Sequence, residues 1–325
     1  MRILLRPWLC AASLLLALPA PGARAQDLAT EIVDAMNGLF GRHAGERANH
    51  AKGVVAEGSF TGAPGAAALS RAAIFQGQPV PVVVRFSNAT GLPDIADGAP
   101  EANPRGISIK LKPAGGGEVD LVLNSLKFFP VADGERFRDL LRARLASRQS
   151  TQKPTPMEQF LAAHPGVARA MATLATPASF AEERYFGINA FVLVNAAGEK
   201  QAVRYQLLPP TVRHLPPEEA ARQPANYLVE ELGSRLARGP VSFTLKAQLA
   251  APGDPTHDPS QPWPDERPLV TLGTLRLDRA VADSRAAARP LLFLPTNLQP
   301  GIELSDDPMP ALRTAAYAVS FSRRQ

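Results

Sequence analysis

Arg47-Ala-Asn-His50 puts a guanidinium and an imidazole three residues apart in a small loop that runs to Gly53, directly ahead of a stretch that alternates like a β-strand. A histidine can take and return a proton near neutral pH, and an arginine can hold a carboxylate. In Val82-Val-Val-Arg-Phe-Ser-Asn88 a period of two sends Val83, Arg85 and Ser87 to one face and Val82, Val84 and Phe86 to the other. A guanidinium and a hydroxyl therefore look into the same space, although a strand face that merely meets water would read the same way. Near the other end, Arg313-Thr-Ala-Ala-Tyr317 sets a guanidinium and a phenol four residues apart, on one face of a helix. A neighbouring cation favours phenolate over phenol. Phenolate is a strong oxygen ligand for ferric iron, and tyrosine is an axial ligand of haem. By itself this spacing is common, and a surface cation–aromatic pair accounts for it equally well.

Other chemistries are excluded. His43, His50, His164, His214 and His257 show no metal-ligand spacing, and neither HExxH nor GxSxG occurs. Cys10 is the only cysteine, and it lies in a leader-like opening: two arginines, an apolar run from Trp8 to about Ala20, then Ala23-Arg24-Ala25 in small-x-small form. Residues 1–25 are expected to be a cleaved secretory signal, because the apolar run is shorter than the ~20 residues of a membrane span. Export to the periplasm follows. A chain starting near Gln26 has no disulfide, no thiolate metal site and no cysteine nucleophile.

The formal charge of +5 shrinks towards balance once Arg2, Arg6 and Arg24 are removed. No basic run interleaves with aromatics, so nucleic acid is not an expected partner. With 325 residues, 45% hydrophobic and 20% charged, the composition is that of an ordinary globular protein without a membrane span.

These residues need elements to position them. Asp27 to His43 has apolar residues at helical spacing (Ile32, Val33, Met36, Leu39, Phe40). Eight runs of β character follow: 52–60, 79–88, 104–112, 117–125, 184–195, 200–208, 240–250 and 268–277. Two helical patterns, 134–148 and 156–175, separate the first four from the rest, and a third, 216–239, separates the sixth from the seventh. The proline-rich stretch 251–268 is expected to be an ordered surface loop, and 308–325 a final helix. The expected fold is α+β: an eight-stranded antiparallel β-barrel, closed so that no edges are exposed, with inserted and C-terminal helices, in one domain spanning 26–325.

His50-Ala-Lys-Gly53 with Arg47 ahead of it, Arg85-Phe-Ser87, Asn103-Pro-Arg-Gly106, Asp120-Leu-Val-Leu-Asn124, Pro300-Gly-Ile-Glu303 and Arg313-x-x-x-Tyr317 occur in the order and approximate spacing of the haem catalases. The resemblance runs from Arg47 to the C-terminus. The short chain, the leader and the ending Ala315-Ala-Tyr-Ala-Val-Ser-Phe-Ser-Arg-Arg324 look most like the small bacterial catalase-related peroxidases. The resemblance implies haem, in the form of haem b, with its iron. It makes His50 the distal base, Asn124 its amide partner, Ser87 the hydrogen-bond partner of the His50 ring, and Tyr317 the axial iron ligand held as tyrosinate by Arg313. Arg47 and Arg85 would hold haem propionates, and Phe137 would stack on the macrocycle.

In that reading His50 moves a peroxide proton from one oxygen to the other, and Asn124 donates to the peroxide as charge develops. Asn49 and Asn103 stand where large catalases usually carry a valine and an aspartate, so the approach should be less apolar near the haem and lack one charge. With no long arm or C-terminal extension, the site is expected to be more open. The expectation is a peroxidase that reduces hydrogen peroxide or organic hydroperoxides with a small organic electron donor and has weak catalase activity, as a monomer or small homo-oligomer. A haem carrier without catalysis and an enzyme that rearranges fatty-acid hydroperoxides are the alternatives. His43, His164 and His257 are expected to be exposed, His214 structural, and Arg138, Arg142 and Arg144 a solvated face. Arg105 could either brace the turn after Pro104 or face the haem.

Overall fold

Strict alternation in Val241–Leu249 buries Val241, Phe243, Leu245 and Ala247 and leaves Ser242, Thr244 and Lys246 half-exposed, as a strand with one wet face requires. The same logic repeats along the chain. In the computed structural model, which describes residues 21–325, the strands are β1 (Gly53–Gly62), β2 (Pro79–Asn88), β3 (Arg105–Leu111), β4 (Val119–Asn124), β5 (Thr176–Pro177), β6 (Tyr185–Phe186), β7 (Phe191–Val194), β8 (Lys200–Leu208), β9 (His214–Leu215), β10 (Val241–Leu249), β11 (Leu269–Ala280) and β12 (Ile302–Leu304). Most of the expected leader, including Cys10, lies outside the described residues.

Strand neighbours run β10-β11-β1-β2-β3-β4-β6-β8, and β8 pairs back onto β10, so these eight close into an antiparallel barrel. β7 and β12 extend the sheet beyond β8, while β5 and β9 form a separate pair. The barrel interior is filled: Phe86 stacks on Phe180 at 5.3 Å, and Tyr185 and Phe243 close in at 5.9 and 6.2 Å. A lumen packed with aromatics leaves a ligand no room inside, so any site must be built elsewhere.

Helices Pro21–Phe40, Gly134–Ser147 and Met309–Ser322 pack together outside the barrel. Ile32, Leu39 and Phe40 meet Leu141, and Ala29 and Val33 meet Ala48 and Ala316. Asp133 caps the second of these helices, its carboxylate accepting from Arg136 N at 2.8 Å. Among the described residues no helix is long and apolar enough to cross a membrane.

Three expected elements are broken in two. The run 184–195 becomes β6 and β7, because Gly187 turns its N–H to Tyr205 O (2.8 Å) and Asn189 leaves the sheet to bond Asp307. The pattern 156–175 splits at Pro165, which cannot supply the amide a continuous helix needs. The pattern 216–239 splits into Pro217–Ala220 and Tyr227–Arg238, because buried Asp97 intervenes: its N–H donates to Ala225 O and its carboxylate accepts from Leu228 N at 2.9 Å.

The proline-rich loop is ordered by one buried cation. Arg204 donates to the carbonyls of Gln261 (2.7 Å), Asp258 (3.0 Å) and Pro255 (3.3 Å) and lies 4.6 Å from the Trp263 ring. A segment rich in proline cannot satisfy its carbonyls in a ladder, and here the guanidinium does so.

Candidate active site

The outer face of β2, β3 and β4 forms one wall of a cavity, and the N-terminal and C-terminal helices form the other. Register sets this wall. Gly53 pairs with Ser87, Ser87 with Gly106 and Gly106 with Asn124, so one row crosses four strands. Arg85 and Ser108 lie two residues along on the same face.

His50 reaches this row from the loop before β1. Its φ of 57° lies in the left-handed region, the only such value outside glycine among the described residues. That conformation costs about 1–2 kcal/mol and turns the side chain back over the sheet. Its Nδ1 is 2.9 Å from Ser87 Oγ, which leaves Nε2 for the cavity. Two glycines make the approach possible. A Cβ on Gly106 would sit 2.8 Å from His50 Cε1 and 2.9 Å from Ser87 Oγ, and one on Gly53 would sit 2.8 Å from Arg85 Cζ. Both motif glycines are thus explained by close packing. Burial, then the charges of Arg85, Arg313 and Arg47, push the His50 imidazole down to about 3, so the ring is neutral at physiological pH.

Asn124 spends its Oδ1 on Leu126 N at 2.8 Å, and its NH2 group has no partner among the described residues. Across the cavity, Arg313 donates to Tyr317 Oη from Nη2 (2.9 Å) and Nε (3.3 Å). Arg313 is itself held by Asn189 Oδ1, and Asn189 Nδ2 donates to Asp307 Oδ2 at 2.7 Å. Burial raises the Asp307 carboxyl above its usual range.

At the edge between the walls, Arg47 donates to Leu291 O (2.9 Å) and Ala288 O (3.1 Å), Arg85 to Ala51 O (2.8 Å) and Arg324 to Leu291 O (2.6 Å). Arg85 and Arg324 are buried, and the Nε atoms of both have no partner among the described residues. Burial and the charges of Arg85 and Arg324 push Arg47 down to about 7, burial and the charge of Arg324 push Arg85 to about 10, and burial pushes Arg324 to about 10. A guanidinium resists deprotonation, so these depressions express how poorly the chain alone compensates two buried cations and a half-buried one. Their one opposing carboxylate, Glu46, is already paired with Arg285 at 2.7 Å.

All eight residues proposed as site residues from the sequence, Arg47, His50, Ser87, Arg85, Asn124, Phe137, Arg313 and Tyr317, line this one cavity. Phe137 packs on Phe129, with ring centroids 5.1 Å apart. Arg324, Asn189 and Asp307 escaped the sequence reading. Arg324 had a weak signal, since it lies seven residues beyond Tyr317, although the helix ends at Ser322; Asn189 and Asp307 had none, as only the fold brings them to Arg313. Arg105 faces away from the cavity. It is buried and braces the turn, donating to Asn88 Oδ1 (2.6 Å), Ala102 O (3.0 Å) and Asp97 O (2.5 Å). Asn103 does not line the cavity, and its amide donates to Thr176 Oγ1 at 3.1 Å. His214 bonds Glu183 at 3.2 Å, and His164 stacks on Phe160 at 4.1 Å.

The donor set fits haem: three under-compensated cations at one edge suit two propionates, a phenol oxygen suits ferric iron, and apolar side chains such as Val33, Phe129 and Leu312 line the space between.

Comparison with known proteins gives the same direction. The family model described as Catalase matches residues 29–324. The chain is 34% identical to a catalase-related peroxidase of Synechococcus elongatus over 300 residues, 90% of this chain and 88% of the relative. It is also 34% identical to a catalase-related peroxidase of Mycolicibacterium paratuberculosis over 299 residues, 90% of this chain and 94% of that one. The crystal structure of a fungal catalase shares the fold, with a TM-score of 0.78 and 24% identity, covering 90% of this chain and 62% of its own. This chain therefore spans less than two thirds of the fungal protein. The chain belongs to the catalase family.

Proposed function

We propose that this protein is a haem-dependent peroxidase that reduces hydrogen peroxide or organic hydroperoxides with a small organic electron donor, its catalase activity being the weaker. The observation that carries the reading is the pairing of His50 and the free Asn124 amide on one wall of a cavity with Arg313-held Tyr317 on the other. Haem, in the form of haem b, would be held by Tyr317 Oη at the iron, by Arg47, Arg85 and Arg324 at the carboxylates and by Phe137 against the ring. When bound, it supplies the electrons that reduce the peroxide O–O bond.

The chain's own part is proton transfer and orientation. With Nδ1–H donating to Ser87 Oγ, His50 Nε2 keeps its lone pair and takes the proton from one peroxide oxygen. The resulting imidazolium sits among Arg47, Arg85 and Arg313, which disfavour it, so it readily gives the proton to the leaving oxygen. Asn124 Nδ2 donates to the oxygen on which charge builds. Arg313 keeps two N–H groups on Tyr317 Oη, which fixes the position of that oxygen.

Export through the leader to the periplasm belongs to the same proposal, as does action as a monomer or small homo-oligomer. The composition of residues 1–25 supports export.

The test is spectroscopic and kinetic. Purified protein should carry a Soret band that shifts on adding peroxide and returns faster when a phenolic donor is present. Tyr317→Phe should lose most of the pigment. Efficient dismutation with no donor oxidation would reject the peroxidase reading, and an unresponsive Soret band would make the protein a carrier.

A further inference from the structure

Asp120 opens the run that ends at Asn124, yet nothing in the proton chemistry uses it. It lies on the same face of β4 as Val122 and Asn124, which line the cavity, and is 1% exposed. A buried carboxylate is costly unless its oxygens are bonded. Here both are. Lys110 Nζ donates to Oδ1 at 2.7 Å and to Oδ2 at 2.9 Å, and Oδ2 also accepts from Leu294 N at 2.8 Å and Asn297 Nδ2 at 3.2 Å. Asp120 N in turn donates to Asn297 O at 3.0 Å.

Leu294 and Asn297 bound a turn, closed by Asn297 N on Leu294 O at 2.8 Å, in a stretch from 291 to 300 that has neither helix nor strand. Such a stretch has no ladder to fix its carbonyls, so side chains from elsewhere must do it. What the stretch presents to the cavity is Leu291 O, which accepts from Arg47 at 2.9 Å and from Arg324 at 2.6 Å. Three residues separate this carbonyl from the anchored Leu294, at most ~11 Å of chain. The same turn reaches the closing helix, where Thr296 Oγ1 lies 2.9 Å from Thr314 Oγ1.

We infer that Asp120 is a positioning residue for the cofactor: by pinning the turn at 294–297 to the barrel wall it fixes Leu291 O, and through that carbonyl it holds Arg47 and Arg324 ready for the haem carboxylates. The inference rests on the haem reading of the cavity. Asp120 touches neither cofactor nor substrate, so its effect must pass through the two guanidinium groups that share Leu291 O.

That dependence is what the experiment reads. Holoprotein is mixed with an excess of a haem-scavenging apoprotein, below every melting temperature, and the rate of haem loss is compared for Asp120→Ala placed in wild type, in Arg324→Met and in His50→Asn. The alanine deletes the anchors of Leu294 N and the Asn297 amide but leaves Lys110 paired with Glu118 at 3.0 Å. In the wild-type background haem loss should quicken roughly ten-fold. On top of Arg324→Met the factor should fall to roughly three-fold or less, because one of the groups that Asp120 acts through is gone. On top of His50→Asn, whose side chain does not contact Leu291, it should stay roughly ten-fold. Asn297→Ala, which keeps the Lys110–Asp120 pair, repeats the comparison should the first variant fail to fold. Equal factors in all the backgrounds, or unchanged haem loss in wild type, overturn the inference alone and leave Asp120 a brace of the fold. A wild-type chain that takes up no haem overturns the haem reading and this inference with it.

Discussion

Removing a buried positive charge at the cavity edge should have opposite consequences with and without the cofactor. Arg324→Met keeps an unbranched side chain against Phe321, whose ring the guanidinium now overlies at 4.7 Å, and deletes one of three clustered cations. Two like charges ~7 Å apart at an effective dielectric of ~20 repel by about 2 kcal/mol. The substitution also gives up the 2.6 Å bond to Leu291 O, a loss of about 1 kcal/mol. The apoprotein should therefore gain about 1 kcal/mol, a rise of roughly 1–3 °C in Tm. The holoprotein should lose a charge-assisted bond to a carboxylate worth about 1.5–3 kcal/mol, which weakens haem binding roughly 10- to 150-fold. Calorimetric melts of apoprotein and a haem titration on the same variant measure both signs. An apoprotein destabilised by the change, together with unaltered haem affinity, would refute the view that Arg47, Arg85 and Arg324 are strained cations awaiting an anion.

Further outcomes follow from individual contacts. Gly106→Ala should leave Tm within a few degrees but cut the rate with peroxide at least ten-fold, since the new Cβ displaces the His50 ring; an unaltered rate would show that the ring position is not critical. Because His50 sits at about 3 in the folded chain and near 6.5 when unfolded, its contribution to apoprotein stability is complete above pH 6.5. That contribution is lost as pH falls towards 3, at up to about 1.4 kcal/mol per pH unit. Urea midpoints of His50→Asn should therefore fall less steeply with acid than those of wild type, and parallel slopes would contradict the depressed value. Asn189→Leu strips Arg313 of its second anchor and leaves the buried Asp307 carboxylate with only Met309 N at 2.8 Å. It should cost roughly 2–4 kcal/mol and speed haem loss, followed as transfer of pigment to an excess of a scavenging apoprotein; unchanged loss would make the Asp307–Asn189–Arg313 chain dispensable.

Periodicity exposed the long strands and the closing helix because each of them buries one face. Val241 to Leu249 and Val82 to Asn88 could be assigned to faces residue by residue, and the structure keeps those assignments. What periodicity missed were breaks imposed by side chains arriving from elsewhere. Asp97, 131 residues away from Leu228, interrupts a helical pattern that is locally continuous. Asn189 leaves a strand-like run for Asp307, 118 residues on. Neither partner can be named from its neighbours.

The site divides along the same line. Arg85 with Ser87, and Arg313 with Tyr317, are local pairs whose spacing fixes a shared face, so they could be read directly. The row joining Gly53, Ser87, Gly106 and Asn124 is set by interstrand register, and the left-handed turn at His50 by the loop. His50, Gly53, Gly106 and Asn124 are therefore legible through resemblance rather than through spacing.

The site's position outside a filled barrel has a mechanical consequence. Because Phe86, Phe180, Tyr185 and Phe243 occupy the lumen, the strands carrying Ser87, Gly106 and Asn124 are braced from behind by close-packed rings and cannot yield inwards. The opposite wall is a helix, whose one turn sets the spacing of the Arg313–Tyr317 pair, while Asn189, between β6 and β7, holds the guanidinium. The two walls meet where Ala48 N donates to Ser320 Oγ at 3.1 Å, two residues before His50. That contact ties the histidine's loop to the tyrosine's helix, so the width of the cavity is set by a short hydrogen-bonded link rather than by the long path through the chain. A substitution at Ser320 should therefore disturb both faces at once, whereas one at Ser87 should disturb His50 alone.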